Sequence, residues 1–478
     1  MELIGRKQEK LVLQEALASN EAEMVAVLGR RRIGKTFLVT TMYRARIAFE
    51  MSGTQGASVQ QQLRNFRDEL SNFARGKLPL EVPEDWLSAF QMLRQYLTSL
   101  DPTDKQVIFF DELPWLAGAK SGFLEALGYF WNSWASRQNI VVVICGSATS
   151  WMIRKVVHNK GGLHNRITKR IHLQPFTLLE TEQYLASQHI ALDRFQILHL
   201  YMAMGGVPHY LKAVKAGQSA AQNIDRICFS EGGLLRDEFS KLYPALFKQA
   251  DKHIAIIRAL ASKWKGMDRA EMLEKTKSIS GGGITSVLEE LEQSGFITSY
   301  YPYGKKRREK IFRLTDAYSL FYLHFIETHQ DQKEGVWQQL SQSQAYKSWS
   351  GYAFENICLT HLAQIKKAMG ISGVFTQASA FYKKNTPEMG GAQIDLVLDR
   401  KDHIVNLFEM KLYNETYTPN KAFADSLRAK RSVFKETTGV RKQLSWVLLT
   451  AYGMQPNQHS IGLVDINLTM DALFEEVG

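Results

Sequence analysis

Two sets of residues in this chain have the types and spacing to act on phosphate. The first is Gly29-Arg30-Arg31-Arg32-Ile33-Gly34-Lys35-Thr36, which matches G-x-x-x-x-G-K-[ST] at each fixed position. The apolar run Met24–Leu28 before it reads as a buried strand, and Phe37-Leu38-Val39 after it as the opening of a helix. Strand, loop and helix make an anion cradle: glycines let the backbone curl until its N–H groups point inward, and the helix N-terminus adds positive potential. Gly29 to Phe37 are therefore the expected ATP-binding stretch. In it Lys35 meets the β- and γ-phosphates, and the Thr36 hydroxyl ligates Mg²⁺.

Such a loop needs an acidic partner strand, and Gln106-Val107-Ile108-Phe109-Phe110-Asp111-Glu112 supplies one. Asp111 is placed at the strand's C-terminal end to hold Mg²⁺, and Glu112 to act as general base on the attacking water. A further apolar strand, Ile140–Cys145, leads into Gly146 and Ser147. Ser147 either reaches the γ-phosphate or attacking water, or merely closes a turn. Arg166 beyond it is the expected arginine that stabilises transition-state charge, in cis or from a neighbouring subunit, with Arg154 and Arg170 as competitors.

The second set lies in the C-terminal third. Gln393–Leu398 and Asn406–Lys411 read as two strands joined by a polar turn at Arg400-Lys401-Asp402. Period-two alternation puts Glu409 and Lys411 on one face. If the strands pair antiparallel, Asp395 lies beside them. Asp395 and Glu409 then offer oxygen ligands to Mg²⁺ or Mn²⁺, while Lys411 orients water or offsets charge at a scissile phosphate. The chemistry of that group is metal-assisted phosphodiester hydrolysis.

The elements that must position these groups form several domains. A chain of 478 residues is too long for one ordinary domain. Its 45% hydrophobic and 22% charged content is that of a globular protein. A formal charge of +11 and a pI near 9.3 point to a polyanionic partner, DNA first. The three cysteines, Cys145, Cys228 and Cys358, are far apart without a C-x-x-C pair. A reducing, cytoplasmic setting is expected, with neither disulfides nor structural zinc. No apolar signal core or membrane-length run is read, so no membrane partner is expected.

Between the two sets, Ile254–Leu260, Arg269–Leu273 and Ile284–Leu291 have helical spacing, with a Gly281-Gly282-Gly283 turn before the last. Gly295–Tyr301 and Lys310–Leu314 resemble strands flanking a basic tip, Gly304–Arg308. This is the order of a winged helix-turn-helix. A basic wing can track phosphates, whereas Glu289, Glu290 and Glu292 on the third helix would repel DNA, so the module either contacts DNA or serves as a structural or protein-contact unit.

Residues from about Leu3 to Leu211 resemble the archaeal-type P-loop ATPases, among the AAA+-like and signal-transducing (STAND) NTPases. The resemblance rests on Ile4-Gly5-Arg6-Lys7, the Gly29–Thr36 loop, Phe109-Phe110-Asp111-Glu112, Cys145-Gly146-Ser147 and Gly205-Gly206-Val207-Pro208. It implies a helical lid in which Pro208 lines the ATP site. Asn165 stands before Arg166 where the family often has glycine. The second set resembles the PD-(D/E)xK nuclease fold, with Asp395 as first acid, Glu409-Met410-Lys411 as E-x-K, and Glu355 as the acid of its first helix, Gly351 to about Met369. Ile394 stands where that family often has proline. The basic residues Lys421, Arg428, Lys430, Arg431 and Lys435 would form a backbone-binding face. Fusions of this kind also carry an Arg-Leu-Thr-Asp element, here Arg313–Asp316.

The expected fold is α/β. It comprises a P-loop parallel sheet over 1–178, a helical lid over 179–250, a winged helix over 251–315, a helical connector over 316–350, and a restriction-endonuclease-like domain over 351–478. The expected function is an ATPase coupled to a DNA-binding, Mg²⁺-dependent nuclease. The alternatives are an ATP switch whose nuclease-like domain only binds DNA or protein, and a loader that positions another factor on DNA. A homo-oligomer or a protein partner fits each.

Overall fold

The computed structural model describes residues 2–75, 80–158, 162–276, 279, 281–305, 309–330, 335–386 and 390–477. The backbone divides into two compact units, Met1–Pro175 and Phe176–Gly478.

The first unit is built on five strands: β1 Glu23–Leu28, β2 Ile47–Ser52, β3 Gln106–Asp111, β4 Ile140–Gly146 and β5 Lys169–His172. Their order is β2-β3-β4-β1-β5, and each neighbouring pair is parallel. Successive side chains on a strand point to opposite faces, and here both faces are covered. Met24, Ala26, Leu28, Ile108, Phe110, Val142 and Ile144 feed one core with the helices Val59–Phe73, Trp86–Thr98 and Phe123–Ser133. Val25, Val27, Phe109, Val143 and Cys145 feed the other, with Leu13, Leu38 and Tyr43. Burial on both sides is why these strands read as unbroken apolar runs.

The second unit opens with short helices. Gly205 has φ 66° at the end of the helix Arg194–Met204. A Cβ on Gly206 would sit 1.9 Å from the Phe176 carbonyl oxygen, so only glycine fits that approach. Pro208 then occupies the first position of the helix Pro208–Leu211.

Next come the helices Ala250–Ala261, Arg269–Lys275 and Gly281–Gln293, with β6 Met267–Asp268, β7 Ile297–Tyr300 and β8 Ile311–Leu314 in the antiparallel order β6-β8-β7. The triple glycine is the first turn of the third helix, not the turn before it. Glu290 accepts from His253 at 2.9 Å and Glu292 pairs with Lys310 at 2.9 Å, so two of that helix's three acids are engaged within the module. Of the expected basic tip, Lys306, Arg307 and Arg308 lie outside the described residues. The aromatic connector is a packing cluster: Phe321, Phe325, Trp337 and Trp349 meet one another edge to face or tilted.

The C-terminal part runs from the helices Gln344–Thr360 and Leu362–Ala368 into β9 Thr376–Lys383, β10 Ala392–Arg400 and β11 Ile404–Lys411, then the helix Lys421–Thr438, β12 Gln443–Thr450 and β13 Ile466–Leu468. Strands β9, β10 and β11 are antiparallel, and β11, β12 and β13 are parallel, in the order β13-β12-β11-β10-β9. The first helix starts seven residues before the expected Gly351, because Ser343 caps it by accepting from the Tyr346 N–H. It breaks at His361 rather than running to Met369. Among the described residues no helix is long and apolar enough to cross a membrane.

His361 is buried and fixed as one neutral tautomer: Nδ1–H donates to the Ile357 carbonyl at 2.9 Å, and Nε2 accepts from the Leu178 N–H at 3.1 Å. Burial pushes its pKa down to about 4, outweighing its bond to Ile357. Between pH 4 and about 6.5 the unfolded chain binds a proton that the folded unit refuses. Stability is therefore expected to fall as pH drops through that window. Urea midpoints at pH 7.5 and 5 should differ more for the wild-type chain than for His361→Gln; equal differences would remove His361 from the account.

Candidate active sites

The loop after β1 takes its shape from backbone geometry that ordinary residues avoid. Gly29 has φ 142°, and a Cβ there would sit 2.5 Å from the Leu173 carbonyl oxygen. Gly34, at φ 91°, caps the helix Lys35–Tyr43. Lys35 is buried, and its Nζ donates to the Arg30 carbonyl at 3.0 Å, which curls the loop around the ammonium. Thr36 Oγ1 donates to Asp111 Oδ2 at 2.5 Å. Parallel pairing of β3 with β4, and of β4 with β1, thus brings the end of β3 to the phosphate loop. Two hard oxygens sit there side by side, a donor set suited to Mg²⁺.

Glu112 follows in a left-handed conformation, φ 44° and ψ 48°, which costs a non-glycine residue of order 1 kcal/mol or more. Its N–H donates to Asp111 Oδ1 at 2.8 Å. Its carboxylate accepts from Ser147 Oγ at 2.8 Å and from the Ser147 N–H at 3.3 Å. Ser147 therefore holds the expected base. Sequence reasoning gave Arg6 no role. The side chain is buried, and it donates to the Ile33 carbonyl at 3.3 Å and the Gln174 carbonyl at 2.6 Å, bracing the phosphate loop. Its left-handed backbone, φ 57°, follows Gly5 at φ 63°, and an Ile-Gly-Arg start was the available signal.

Arg166 is exposed and stands two residues before Thr168, whose N–H donates to the Met24 carbonyl at the start of β1. The phosphate loop leaves the other end of β1, roughly 17–20 Å away at the usual rise per residue. Arg166 instead shares a polar cleft with Asn20, Arg137 and Asn165. The fold does not bring Arg166 to its own chain's phosphate loop. Arg154 is exposed in the turn Ile153–Val157 after β4, and Arg170 is exposed on the edge strand β5.

In the second unit, β10 pairs with β11 up to Leu396↔Phe408, and Asp395 and Glu409 are the residues next beyond that pair on the two strands. The β9–β10 pairing slips between Ile394 and Val397, and Asp395 lies in that bulge. Bulges re-aim side chains, and Gln393 Nε2 donates to Asp395 Oδ1 at 2.5 Å. Glu409 receives two ammonium groups, Lys411 Nζ at 3.3 Å and Lys430 Nζ at 2.6 Å from the helix Lys421–Thr438. Glu355 pairs with the buried Arg313 of β8 at 3.0 Å, and Arg313 Nε donates to Tyr352 OH at 2.9 Å. Burial first, then the Asp395 charge, pushes the Glu355 carboxyl up to about 7 against the pull of Arg313. Lys411 is held above the usual lysine range: burial opposes its charge, but Glu409 outweighs it.

The four expected residues are thus neighbours: Glu355 is within electrostatic reach of Asp395 and Glu409, and Lys411 pairs with Glu409. Among the described residues no three His, Cys, Asp or Glu side chains converge to hold a metal ion. Both oxygens of Glu409 are met by lysines, Oε1 by Lys411 and Oε2 by Lys430. Lys430 was read only as part of a backbone-binding face. Arg313 was read as part of a tetrapeptide without a role, and only the three-dimensional packing of β8 reveals its partner.

Residues 4–214 match the family described as the ATPase domain predominantly from Archaea. This part of the chain is a P-loop ATPase domain. An uncharacterised protein of Methanocaldococcus jannaschii is 22% identical over 402 residues, covering 82% of this chain and 83% of that protein. A Walker-type ATPase of Pyrococcus abyssi superposes with a TM-score of 0.50 at 15% identity, over 67% of this chain and 96% of that one. At that identity the second likeness concerns the fold alone.

In the ATPase domain, Lys35→Ala removes the buried cation and is expected to abolish measurable ATP binding by calorimetry. Glu112→Gln keeps Asp111 and Thr36 and should bind ATP normally, while phosphate release slows by about 10²-fold or more. Unchanged turnover in both variants would exclude this site.

Proposed function

We propose that the chain couples ATP hydrolysis in its N-terminal unit to a DNA-directed, metal-dependent nuclease site in its C-terminal unit. The observation that carries the second half is Glu355 within electrostatic reach of both Asp395 and Glu409, with Lys411 paired to Glu409. The helix, three-stranded meander, helix and parallel strand that hold them have the order of the PD-(D/E)xK fold. The three helices and antiparallel sheet before them have the order of a winged helix. On this reading Asp395 and Glu409, with Glu355 beside them, would hold Mg²⁺ or Mn²⁺, since all three offer oxygen donors. When bound, such a cation supplies charge neutralisation at a phosphate and a more acidic water. Lys411 would steady the scissile phosphate, and Lys430 would exchange Glu409 for backbone phosphate.

In the first unit, Thr36 and Asp111 would share the Mg²⁺ that accompanies ATP, and Gly29 to Phe37 would wrap the phosphates. Glu112, released from Ser147, would accept the proton of the attacking water. Arg166 would act across a subunit boundary. Arg166→Ala should then keep ATP affinity and lose turnover, with partial recovery on mixing with Glu112→Gln. Full turnover by a monomer in sedimentation would reject that role.

One observation favours a reading without cleavage. Glu409 is already neutralised by two lysines. A site balanced by ammonium groups can bind a phosphate backbone and cut nothing. The two readings separate in one experiment with labelled single-stranded and duplex DNA, Mg²⁺ or Mn²⁺, with and without ATP. Cleavage should need the cation and stop in Asp395→Ala and Lys411→Ala, whose ATPase rates without DNA should match wild type. Salt-sensitive DNA binding with no cleavage would establish the binding-only form. No binding to any DNA form would end both.

A further inference from the structure

Beside the acid cluster rises a stack of three aromatic rings. Phe423 is buried at the start of the helix Lys421–Thr438. Tyr417 packs on it edge to face, with centroids 5.1 Å apart. Tyr413 lies flat on Tyr417, at 4.7 Å and 8° between planes. The stack thus runs from the core to the surface, where Tyr413 is 37% exposed. It is also rigid at its middle step. The Tyr417 N–H donates to the Gly453 carbonyl at 2.9 Å, and the Gln455 N–H donates to the Tyr417 carbonyl at 2.9 Å, so both backbone groups are pinned. Tyr413 follows Lys411 by two residues and is within electrostatic reach of its ammonium.

A core does not need its outermost ring in water. An exposed tyrosine held flat by a second ring offers a pre-ordered π face, which gains contact area at little cost in side-chain entropy. Its setting selects the occupant. Lys411 and Lys430 pair with Glu409 close by in the fold, and Lys421 is exposed at the start of the helix that anchors the stack. A ligand that brings flat rings and repeated negative charge at once is a nucleic-acid strand. Bases inside a duplex have both faces covered by their neighbours, so a ring that stacks on Tyr413 must come from an unpaired base.

We propose that Tyr413, backed by Tyr417, stacks an unpaired nucleobase next to the phosphate held at Lys411, so that the C-terminal site takes a single strand or a frayed end rather than an intact duplex. This rests on the DNA-directed reading above and specifies its substrate class.

The test uses the full chain and oligonucleotides with 2-aminopurine, whose fluorescence is quenched by stacking. Affinity is read separately by the anisotropy of an end label. Wild-type protein should bind single strands and overhangs in preference to blunt duplex, and should change the 2-aminopurine signal at one position of the strand. Tyr413→Ala and Tyr413→Leu should weaken single-strand binding about tenfold and lose that change. Tyr413→Phe, which keeps the ring, should retain both. A purely structural role would not make Leu and Phe differ in the 2-aminopurine signal. If wild type binds DNA but prefers blunt duplex, or shows no stacking signal at any position, the assignment to Tyr413 is overturned while the DNA-directed reading stands. That outcome is read on wild type alone, so it does not depend on the variants folding. If wild type binds no DNA at all, the broader reading fails and this inference with it.

Discussion

A carboxylate at the end of a buried strand must be met by something, and both sites in this chain are organised around that demand. An unpaired buried charge costs several kcal/mol, and breaking one member out of a buried pair about 3–5 kcal/mol. Asp111 is met by the Thr36 hydroxyl and by the N–H of Glu112. Glu112 is met by Ser147. Glu409 is met by two lysines and Glu355 by Arg313. Thr36, Ser147, Lys430 and Arg313 each come from an element other than that of the carboxylate they meet, so satisfying those charges also fixes how the elements sit. The phosphate loop is held against β3 through Asp111, and β4 is held to the end of β3 through Ser147.

The two sites differ in what compensates them. In the ATPase domain the partners of Asp111 and Glu112 are hydroxyls and N–H groups, which are neutral and easily exchanged for a cation or a water. In the C-terminal domain they are ammonium and guanidinium groups. A cation entering beside Glu409 must displace a positive charge already 2.6 Å from it. The long lysine stem makes that exchange feasible, since Lys430 leaves by rotating about its own side-chain bonds while the helix stays in place. Arg313 has no such freedom. It is buried and lies over the Tyr352 ring at 4.3 Å, so its charge is a permanent part of the site.

Much of this was legible in the sequence, for identifiable reasons. Buried parallel strands read as unbroken apolar runs, and β1, β3 and β4 did so. The phosphate loop is local chemistry, fixed by glycines whose φ values only glycine tolerates. Glu409 and Lys411 share a face because strand periodicity is two. What escaped was long-range or governed by a single cap. The helix before the acid cluster begins at Gln344 because of Ser343, one hydrogen bond that outweighs the glycine at 351. Gly281 to Gly283 open a helix because tertiary packing of Ile284, Val287 and Leu288 overrides glycine's weak propensity. Arg166 reads as near the nucleotide only along the chain, since β5 carries it to the far end of β1. Arg313 and Glu355 are 42 residues apart, and no spacing rule joins them.

That last pair has a structural consequence within the second unit. Arg313 sits on β8, the central strand of the small antiparallel sheet, while Glu355 sits on the helix before the large one. The same two modules also meet where the Tyr303 N–H donates to the Ala380 carbonyl of β9 at 2.8 Å and where the Tyr303 ring packs on Phe434. A displacement of β8 that broke the Arg313 pair would leave Glu355 facing Asp395 without its cation. The carboxyl would then have to take up a proton or find another positive charge. The small sheet is therefore not a detachable appendage of the acid cluster but one of the elements that sets its charge.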